Sequence, residues 1–155
     1  MSNARGFSMI ELMAVLGILA VLVWASLPLA EATRERERER ELQRALWQIR
    51  DAIDAYKHAS DNTGVPRPLE QSGYPPTLAA LVQGVPDPKA GNRLVHFLRR
   101  VPRDPFAPPE LPADQTWGLR SFQSPADAPT PGADVYDVYS KAPGKGVNGV
   151  PFRAW

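Results

Sequence analysis

The chain has 155 residues, and its 18 basic and 17 acidic side chains leave a formal net charge of +1. That length allows one domain of ordinary size. The near balance of charge excludes the basic excess that nucleic-acid binders usually show, so we expect no nucleic-acid partner. The chain has no cysteine, which excludes disulfides and leaves a small exported domain to be held by a covering helix, a metal or a polymer lattice.

Residues 7–30 form a nearly continuous apolar run that follows a short polar leader, residues 1–6. About twenty apolar residues in a helix are enough to cross a hydrocarbon core of roughly 30 Å. An ordinary secretory signal has a shorter apolar stretch with a small-residue cleavage site after it. The pattern therefore predicts one membrane-crossing helix with the leader ahead of it.

Glu11 is the charged residue within this apolar run. A carboxylate inside a membrane helix costs about 2.5–3.5 kcal/mol on insertion scales and therefore needs a partner. Cleavage after Gly6 would give Phe7 a positive α-amine four residues before Glu11, on the same helix face. In a polymer, the amine of a neighbouring copy is an equivalent partner. The alternative is that Glu11 lies near the membrane interface and reaches water.

The residues around the leader junction carry a specific resemblance. Residues 5–12 read Arg-Gly-Phe-Ser-Met-Ile-Glu-Leu, which resembles the processing motif of type IV pilins and type II secretion pseudopilins. The resemblance implies that a prepilin peptidase and methyltransferase cuts after Gly6 and methylates the new terminal Phe7. It also implies that Glu11 guides subunits into a fibre and that Pro28 disrupts the helix.

The chain after the apolar run continues as a helix. Residues 31–41 are rich in charge, with basic and acidic side chains alternating from Arg34 to Glu41, and we interpret them as a solvated helical stalk. Apolar side chains then recur at spacings of four, three, four and three, which is one stripe of an amphipathic helix. A single helix is therefore predicted over residues 8–59, loosened near the membrane boundary by Pro28. The stripe consists of Leu42, Leu46, Ile49, Ile53 and Tyr56.

Proline and glycine divide the rest into short elements. Residues 62–76 are predicted to be loop, and residues 74–84 to contain a short helix with Thr77 as N-cap and Gly84 at its end. A proline-set corner is predicted over residues 101–106, followed by strands over residues 117–124 and 134–140. In the second strand, Val135, Asp137 and Tyr139 are predicted to share one face. Residues 141–155 read as a glycine-rich loop that closes on Phe152 and Trp155.

The order of these head motifs resembles the major, G-type pseudopilin. It implies an α+β fold of type IV pilin kind, with a long N-terminal helix packed on a small antiparallel sheet. The implied divisions are a cleaved leader (1–6), a membrane and polymerisation helix (7–30), a stalk and amphipathic helix (31–59) and a periplasmic head (60–155). The implied function is that of a subunit of a homopolymeric pseudopilus for type II secretion. Its implied partners are other pseudopilins, the inner-membrane secretion platform and inner-membrane lipid.

Related pseudopilins bind calcium in the loop after the second strand, and this chain departs from them there. Calcium requires several oxygen ligands, commonly carboxylates. The loop over residues 141–149 contains two lysines and no acidic residue. We therefore expect no metal and no cofactor, with Asp134, Asp137 and Asn148 as weak calcium candidates.

No motif for catalysis is found in the sequence, so we expect the protein not to be an enzyme. His58 and His96 are interpreted as solvent-facing, and the aromatic residues Trp117, Phe122, Tyr136, Tyr139 and Trp155 as core. A pilus or DNA-uptake pilin with the same N-terminus is the alternative function. A singly anchored periplasmic enzyme or binding protein is a third, which does not account for the leader and Glu11.

Overall fold

The computed structural model describes residues 8–62, 72–87 and 91–155, without the side chains of residues 25–30. The predictions for the leader, Gly6 and Phe7, for the side chain of Pro28 and for most of the loop over residues 62–76 lie outside the described residues. The chain divides into two compact units, Met1–Glu37 and Arg38–Trp155. We call the second unit the head.

The first element is a long helix, α1, Met9–Asn62, close to the predicted bounds of 8–59. In the head, the predicted apolar stripe on α1 is confirmed, because Leu42, Leu46, Ile49 and Ile53 are buried and Tyr56 packs against them. Burial of each of these aliphatic side chains contributes about 1.5–3 kcal/mol relative to exposure. The core residues of the rest of the head pack against this stripe.

The short helix predicted after the loop is α2, Leu78–Gln83. Thr77 is its N-cap, with its hydroxyl accepting a hydrogen bond from the Ala80 amide. Gly84 follows the helix with a φ of 80°, and its amide donates to the Ala80 carbonyl. Both capping predictions are confirmed, and α2 buries Leu78 and Leu81 in the core.

A small hairpin follows that the sequence did not predict. Strand β1, Val85–Asp87, pairs antiparallel with β2, Arg93–Val95. Asn92 lies just before β2 with a φ of 61°, a left-handed conformation that asparagine tolerates better than most residues. Pro86 lies within β1 and argues against a strand in the sequence, because proline has no amide hydrogen to donate to a neighbouring strand.

The two predicted strands are present but shorter than expected. Strand β3, Trp117–Arg120, pairs antiparallel with β4, Asp137–Ser140. Among the described residues these strands form two separate two-stranded antiparallel sheets where the prediction had one. The predicted α+β class, with a long helix and a small antiparallel sheet, is confirmed.

The predicted alternation across residues 134–140 is wrong at Val135. Val135 and Val138 are both buried, although the prediction placed them on opposite faces. The reason is that β4 begins only at Asp137 and the Val135 amide instead donates to the Pro75 carbonyl. Tyr136 still donates its amide to the Arg120 carbonyl of β3 at 2.8 Å, but the regular pairing starts only at Asp137, and Val135 is buried in the core.

Candidate functional site

The N-terminal part of α1 is apolar on all sides. Its large hydrophobic side chains are exposed from Met9 to Trp24, for example Ile10 at 76% and Trp24 at 78%. A helix that is hydrophobic all round is one that other molecules bury, either lipid or neighbouring helices. The N-terminal part of α1 is therefore a candidate site for contact with other molecules.

Glu11 lies in the first turn of α1. Its neighbour Leu12 donates its amide to the Ser8 carbonyl at 3.1 Å. The first turn of a helix carries free amide groups and a partial positive charge that favour a carboxylate. Glu11 is exposed in this unit. Its side chain is therefore available to an external partner.

The charged run over residues 31–41 is helical, as predicted, and almost entirely exposed. Glu39 differs from the rest because it is partly buried and its carboxylate accepts a hydrogen bond from the Val147 amide at 2.8 Å. Most of the run is thus exposed to solvent, whereas Glu39 bonds the C-terminal loop to α1 within the head.

The C-terminal segment of the head is held by Arg50 of α1. The Arg50 guanidinium donates to the Asp137 carboxylate at 2.8 Å and to the main-chain oxygens of Val138, at 3.2 Å, and Trp155, at 2.7 Å. Its planar fork of donors suits this role better than a lysine would. One side chain therefore joins α1, β4 and the last residue.

The predicted closure of the C-terminal loop on Phe152 and Trp155 is confirmed. Phe152 is buried, stacks on Phe106 with ring centroids 4.4 Å apart, and meets Trp155 at 5.2 Å. Gly146 is required where Trp155 packs, because a Cβ there would lie 2.2 Å from the indole ring. Aromatic packing and main-chain bonds hold this loop.

The three weak calcium candidates are already engaged with protein groups. Asp134 accepts hydrogen bonds from the Ser72 hydroxyl and, at 2.8 Å, from the Phe122 amide. Asp137 pairs with Arg50, and Asn148 accepts from the Val150 amide at 3.0 Å. In the part of the chain that the structure describes, no three His, Cys, Asp or Glu residues are grouped to hold a metal.

Calcium is therefore expected to leave the stability of the head unchanged. Adding a chelator should shift the midpoint of thermal unfolding by less than about 1 °C, because all three candidate side chains already bond to protein groups and the loop over residues 141–149 has no carboxylate. A ligand at one hundred times its Kd would add about 2.7 kcal/mol, which is readily visible by circular dichroism. Stabilisation by calcium, but not by magnesium at the same ionic strength, would contradict this expectation.

Asp104 is a key residue that sequence reasoning missed. Its side chain is fully buried, accepting hydrogen bonds from the Ser140 hydroxyl at 2.6 Å and the Phe106 amide at 2.8 Å. The Asp104 amide donates to the Thr116 hydroxyl at 3.2 Å. The predicted corner thus contains a cluster of hydrogen bonds around Asp104, which we call the polar node. It joins the corner to Thr116 and to Ser140. An aspartate bonding to the amide two residues on is a local turn signal that the sequence contained.

The prediction that all five aromatic residues lie in the core is wrong for Phe122. Trp117 is buried, whereas Phe122 is 55% exposed because it lies beyond the end of β3. Phe122 stacks against Tyr74 at the surface, with Tyr136 edge-on to both. Partial burial, with smaller contributions from Tyr136 and nearby aspartates, raises the pKa of Tyr74 above its ordinary value. The cluster is a surface extension of the core.

The two histidines are both exposed, as predicted. His58 lies within hydrogen-bonding distance of the Asn62 amide, at 3.0 Å, and His96 bonds to the Val82 carbonyl at 2.8 Å. The His58 contact spans one turn of α1, and the His96 contact joins the residue after β2 to α2.

Comparison with known proteins gives two matches. Residues 1–27 match the model of the prokaryotic N-terminal methylation motif. The chain is also 29% identical over 111 residues to the type II secretion system core protein G of Klebsiella pneumoniae, covering 68% of this chain and 71% of that protein. No solved structure matches at the same level of significance.

The two matches confirm the resemblance to a G-type pseudopilin and support a pseudopilin of type II secretion, with prepilin processing implied by the motif. By its name, the relative is a core protein of a type II secretion system. A pseudopilin of this kind implies a membrane-anchored periplasmic protein that assembles with other pseudopilins. Within the described residues, no helix combines the length and the apolarity that crossing a membrane requires.

Proposed function

We propose that this chain is made as a prepilin, cleaved after Gly6, methylated at Phe7, and polymerised into a periplasmic pseudopilus that drives type II protein secretion. The proposal is carried by one observation, that the methylation motif and an exposed apolar helix with an acidic residue lie in the same part of the chain. The residues that match the methylation motif, 1–27, include the exposed apolar part of α1 together with its acidic residue, Glu11.

In this proposal, residues 7–30 anchor the chain by a single pass in the inner membrane, and the head lies in the periplasm. The exposed apolar side chains of α1 then pass from lipid to neighbouring subunits when the fibre forms. Glu11 pairs with the α-amine of Phe7, either its own or that of the next copy, and Pro28 loosens the helix near the membrane boundary.

The alternative is a type IV pilus or DNA-uptake pilin, which shares the same N-terminal processing. The similarity to a secretion component over 68% of the chain favours the pseudopilin. Deleting the gene and measuring secreted enzymes alongside twitching and transformation separates the two functions, since loss of secretion alone is expected.

Processing at the leader is the direct test of the proposal. Protein extracted from membranes should begin at Phe7 and carry one added methyl group, as measured by intact mass and N-terminal sequencing. Gly6→Val should remain uncleaved because its side chain enters the cleavage junction. Gly17→Val is the matched control, since the space around Gly17 is open within its unit, and it should be processed normally. A mature chain that begins after Ala25 or Ala30 would contradict the proposal.

A further inference from the structure

Residues 145–155 form the C-terminal segment of the head, and hydrogen bonds within the segment stabilise its conformation. The Gly146 amide donates to the Val150 carbonyl at 2.9 Å. The Trp155 indole donates to the same carbonyl at 3.1 Å. The position of the segment in the head therefore depends on how its two ends are attached to other elements.

Two side chains of α1 bond to the ends of this segment, one as an acceptor and one as a donor. The Glu39 carboxylate accepts from the Val147 amide at 2.8 Å. The Arg50 guanidinium donates to the main-chain oxygen of Trp155 at 2.7 Å. Arg50 follows Glu39 by eleven residues, which is about three helical turns, so both side chains lie on one side of α1, about 16 Å apart along its axis. The C-terminal segment therefore lies along this side of α1.

Arg50 contacts three oxygens at once, and these oxygens belong to two different elements. Its Nε atom donates to the Asp137 carboxylate at 2.8 Å. One of its Nη atoms donates to the main-chain oxygens of Val138, at 3.2 Å, and Trp155. Hydrogen bonds from a charged donor are stronger than those between neutral groups. One positive side chain of α1 thus holds both β4 and the C-terminal segment.

Asp137 has two further contacts that do not involve Arg50. The carboxylate oxygen that Arg50 contacts also accepts from the Val138 amide at 2.8 Å, and the other oxygen lies 3.9 Å from an Nη atom of Arg120. Neither contact includes the C-terminal segment. The contribution specific to Arg50 is therefore that it joins β4, the C-terminal segment and α1.

A carboxylate oxygen and two main-chain oxygens around one positive group resemble the surroundings of a bound metal ion. Calcium in proteins takes several oxygen ligands of these two kinds. Related pseudopilins bind calcium in the loop after the second strand, and in this chain that loop, residues 141–149, has no carboxylate. Here the positive group is a guanidinium, which stays charged and which no chelator can remove.

We propose that Arg50 acts as the structural cation of the head, the positive charge that positions the C-terminal segment against α1 and β4 without a divalent metal. For the fibre, the inference rests on the proposed function, because assembly of this chain then requires Arg50 and does not require calcium. The role of Arg50 within the head does not depend on the proposed function, so the two are tested separately.

The role within the head is measured by thermal unfolding of the full chain in detergent. Arg50→Ala removes a donor from each of the three oxygens and should lower the midpoint by at least about 4 °C. Arg50→Lys keeps the charge without the planar fork and should fall between. Arg44→Ala is the matched control, because Arg44 is an exposed arginine of the same helix that donates to the Arg40 carbonyl at 3.2 Å, and it should change the midpoint by less than about 2 °C. Equal shifts from Arg50→Ala and Arg44→Ala would overturn the proposal.

A charge reversal tests whether Arg50 occupies the position of a cation. Arg50→Glu places a second carboxylate beside Asp137, so in chelator it should destabilise the head at least as much as Arg50→Ala. The new carboxylate joins the three oxygens that Arg50 contacts, and millimolar calcium should therefore raise the midpoint of Arg50→Glu by about 4 °C or more. Magnesium, the unchanged chain and Arg50→Ala should show no such response. Arg120 is present in every variant and cannot account for a difference between them. A midpoint of Arg50→Glu that does not respond to calcium would overturn the proposal.

The consequence for the fibre is measured by disulfide crosslinking, which suits a chain without cysteine. Chains that carry Leu16→Cys are oxidised in membranes of cells that make the secretion system. A chelator should leave the yield of multimers unchanged, adding Arg50→Ala should lower it at least several-fold, and the yield from Arg50→Glu should rise with calcium. Multimers that the chelator abolishes in the chain with native Arg50 would overturn the independence from divalent metal. If Leu16→Cys gives no multimers in any chain, the proposed function is contradicted, while the unfolding midpoints still decide the role of Arg50.

Discussion

Replacing Asp104 with alanine is expected to lower the midpoint of thermal unfolding by roughly 10 °C or more. The substitution leaves the Ser140 hydroxyl and the Phe106 amide without the acceptor that they have in the fold. Each unsatisfied buried polar group costs about 1–3 kcal/mol, and each kcal/mol shifts the midpoint by about 4 °C in a domain of this size. Circular dichroism of the full chain in detergent measures the effect.

Two further variants show whether burial or charge is responsible. Asp114→Ala removes an exposed carboxylate close by in sequence and should change the midpoint by less than about 2 °C. Asp104→Asn keeps an oxygen that can accept from the Phe106 amide and should fall between the two. Equal effects of Asp104→Ala and Asp114→Ala would contradict the role assigned to the polar node.

The parts of the fold that local patterns determine were predictable from the sequence. The stripe from Leu42 to Tyr56 follows the helical period, so its burial follows from the spacing of its apolar residues. Thr77 and Gly84 mark the ends of α2 because a hydroxyl satisfies free amides and a glycine adopts a positive φ without a steric penalty. The two main strands, β3 and β4, were also predictable from local sequence, because aromatic and β-branched residues favour strands.

The contacts that local patterns do not reveal are those made between distant segments. Asp104 meets Ser140 across 36 residues, and Arg50 meets Asp137 across 87. No local period connects such pairs. Val135 was misplaced because its amide bonds to Pro75 and not to a strand, and Phe122 because β3 ends before it. The hairpin of β1 and β2 was missed since three-residue strands with a proline show almost no pattern.

The candidate site at the N-terminus could be proposed from the sequence alone, whereas the surface clusters of the head could not. The leader junction, the apolar run and Glu11 are consecutive in the chain, so their chemistry can be read directly. The aromatic cluster of Tyr74, Phe122 and Tyr136 is assembled from three segments that are distant in the chain. A surface of that kind requires the folded structure.

Glu11→Ala is expected to abolish fibre formation and secretion while leaving processing and membrane insertion intact. Removing the carboxylate deletes a charge that is costly in the membrane, so insertion should be as good or better. In the proposed pairing, however, the Phe7 amine loses its partner, and an incoming subunit loses the attraction that would set its axial position. We propose that the charge pair acts chiefly to fix this register. Membrane fractionation measures insertion, and gel mobility measures processing. Crosslinking of chains that carry Leu16→Cys, at an exposed residue of the apolar part of α1, measures fibre formation.

Conservative and distant variants determine which property of Glu11 matters. Glu11→Asp keeps the charge on a side chain one methylene shorter and should be partly defective, whereas Glu11→Gln keeps the length without the charge and should resemble Glu11→Ala. Glu31→Ala removes an exposed carboxylate beyond the apolar run and should assemble normally. Because the proposed partner is the amine that cleavage would create, Gly6→Val should block assembly even with Glu11 present. Normal multimers from Glu11→Ala would show that the carboxylate only reaches the membrane interface, and assembly would then have to depend on the apolar side chains of α1 alone.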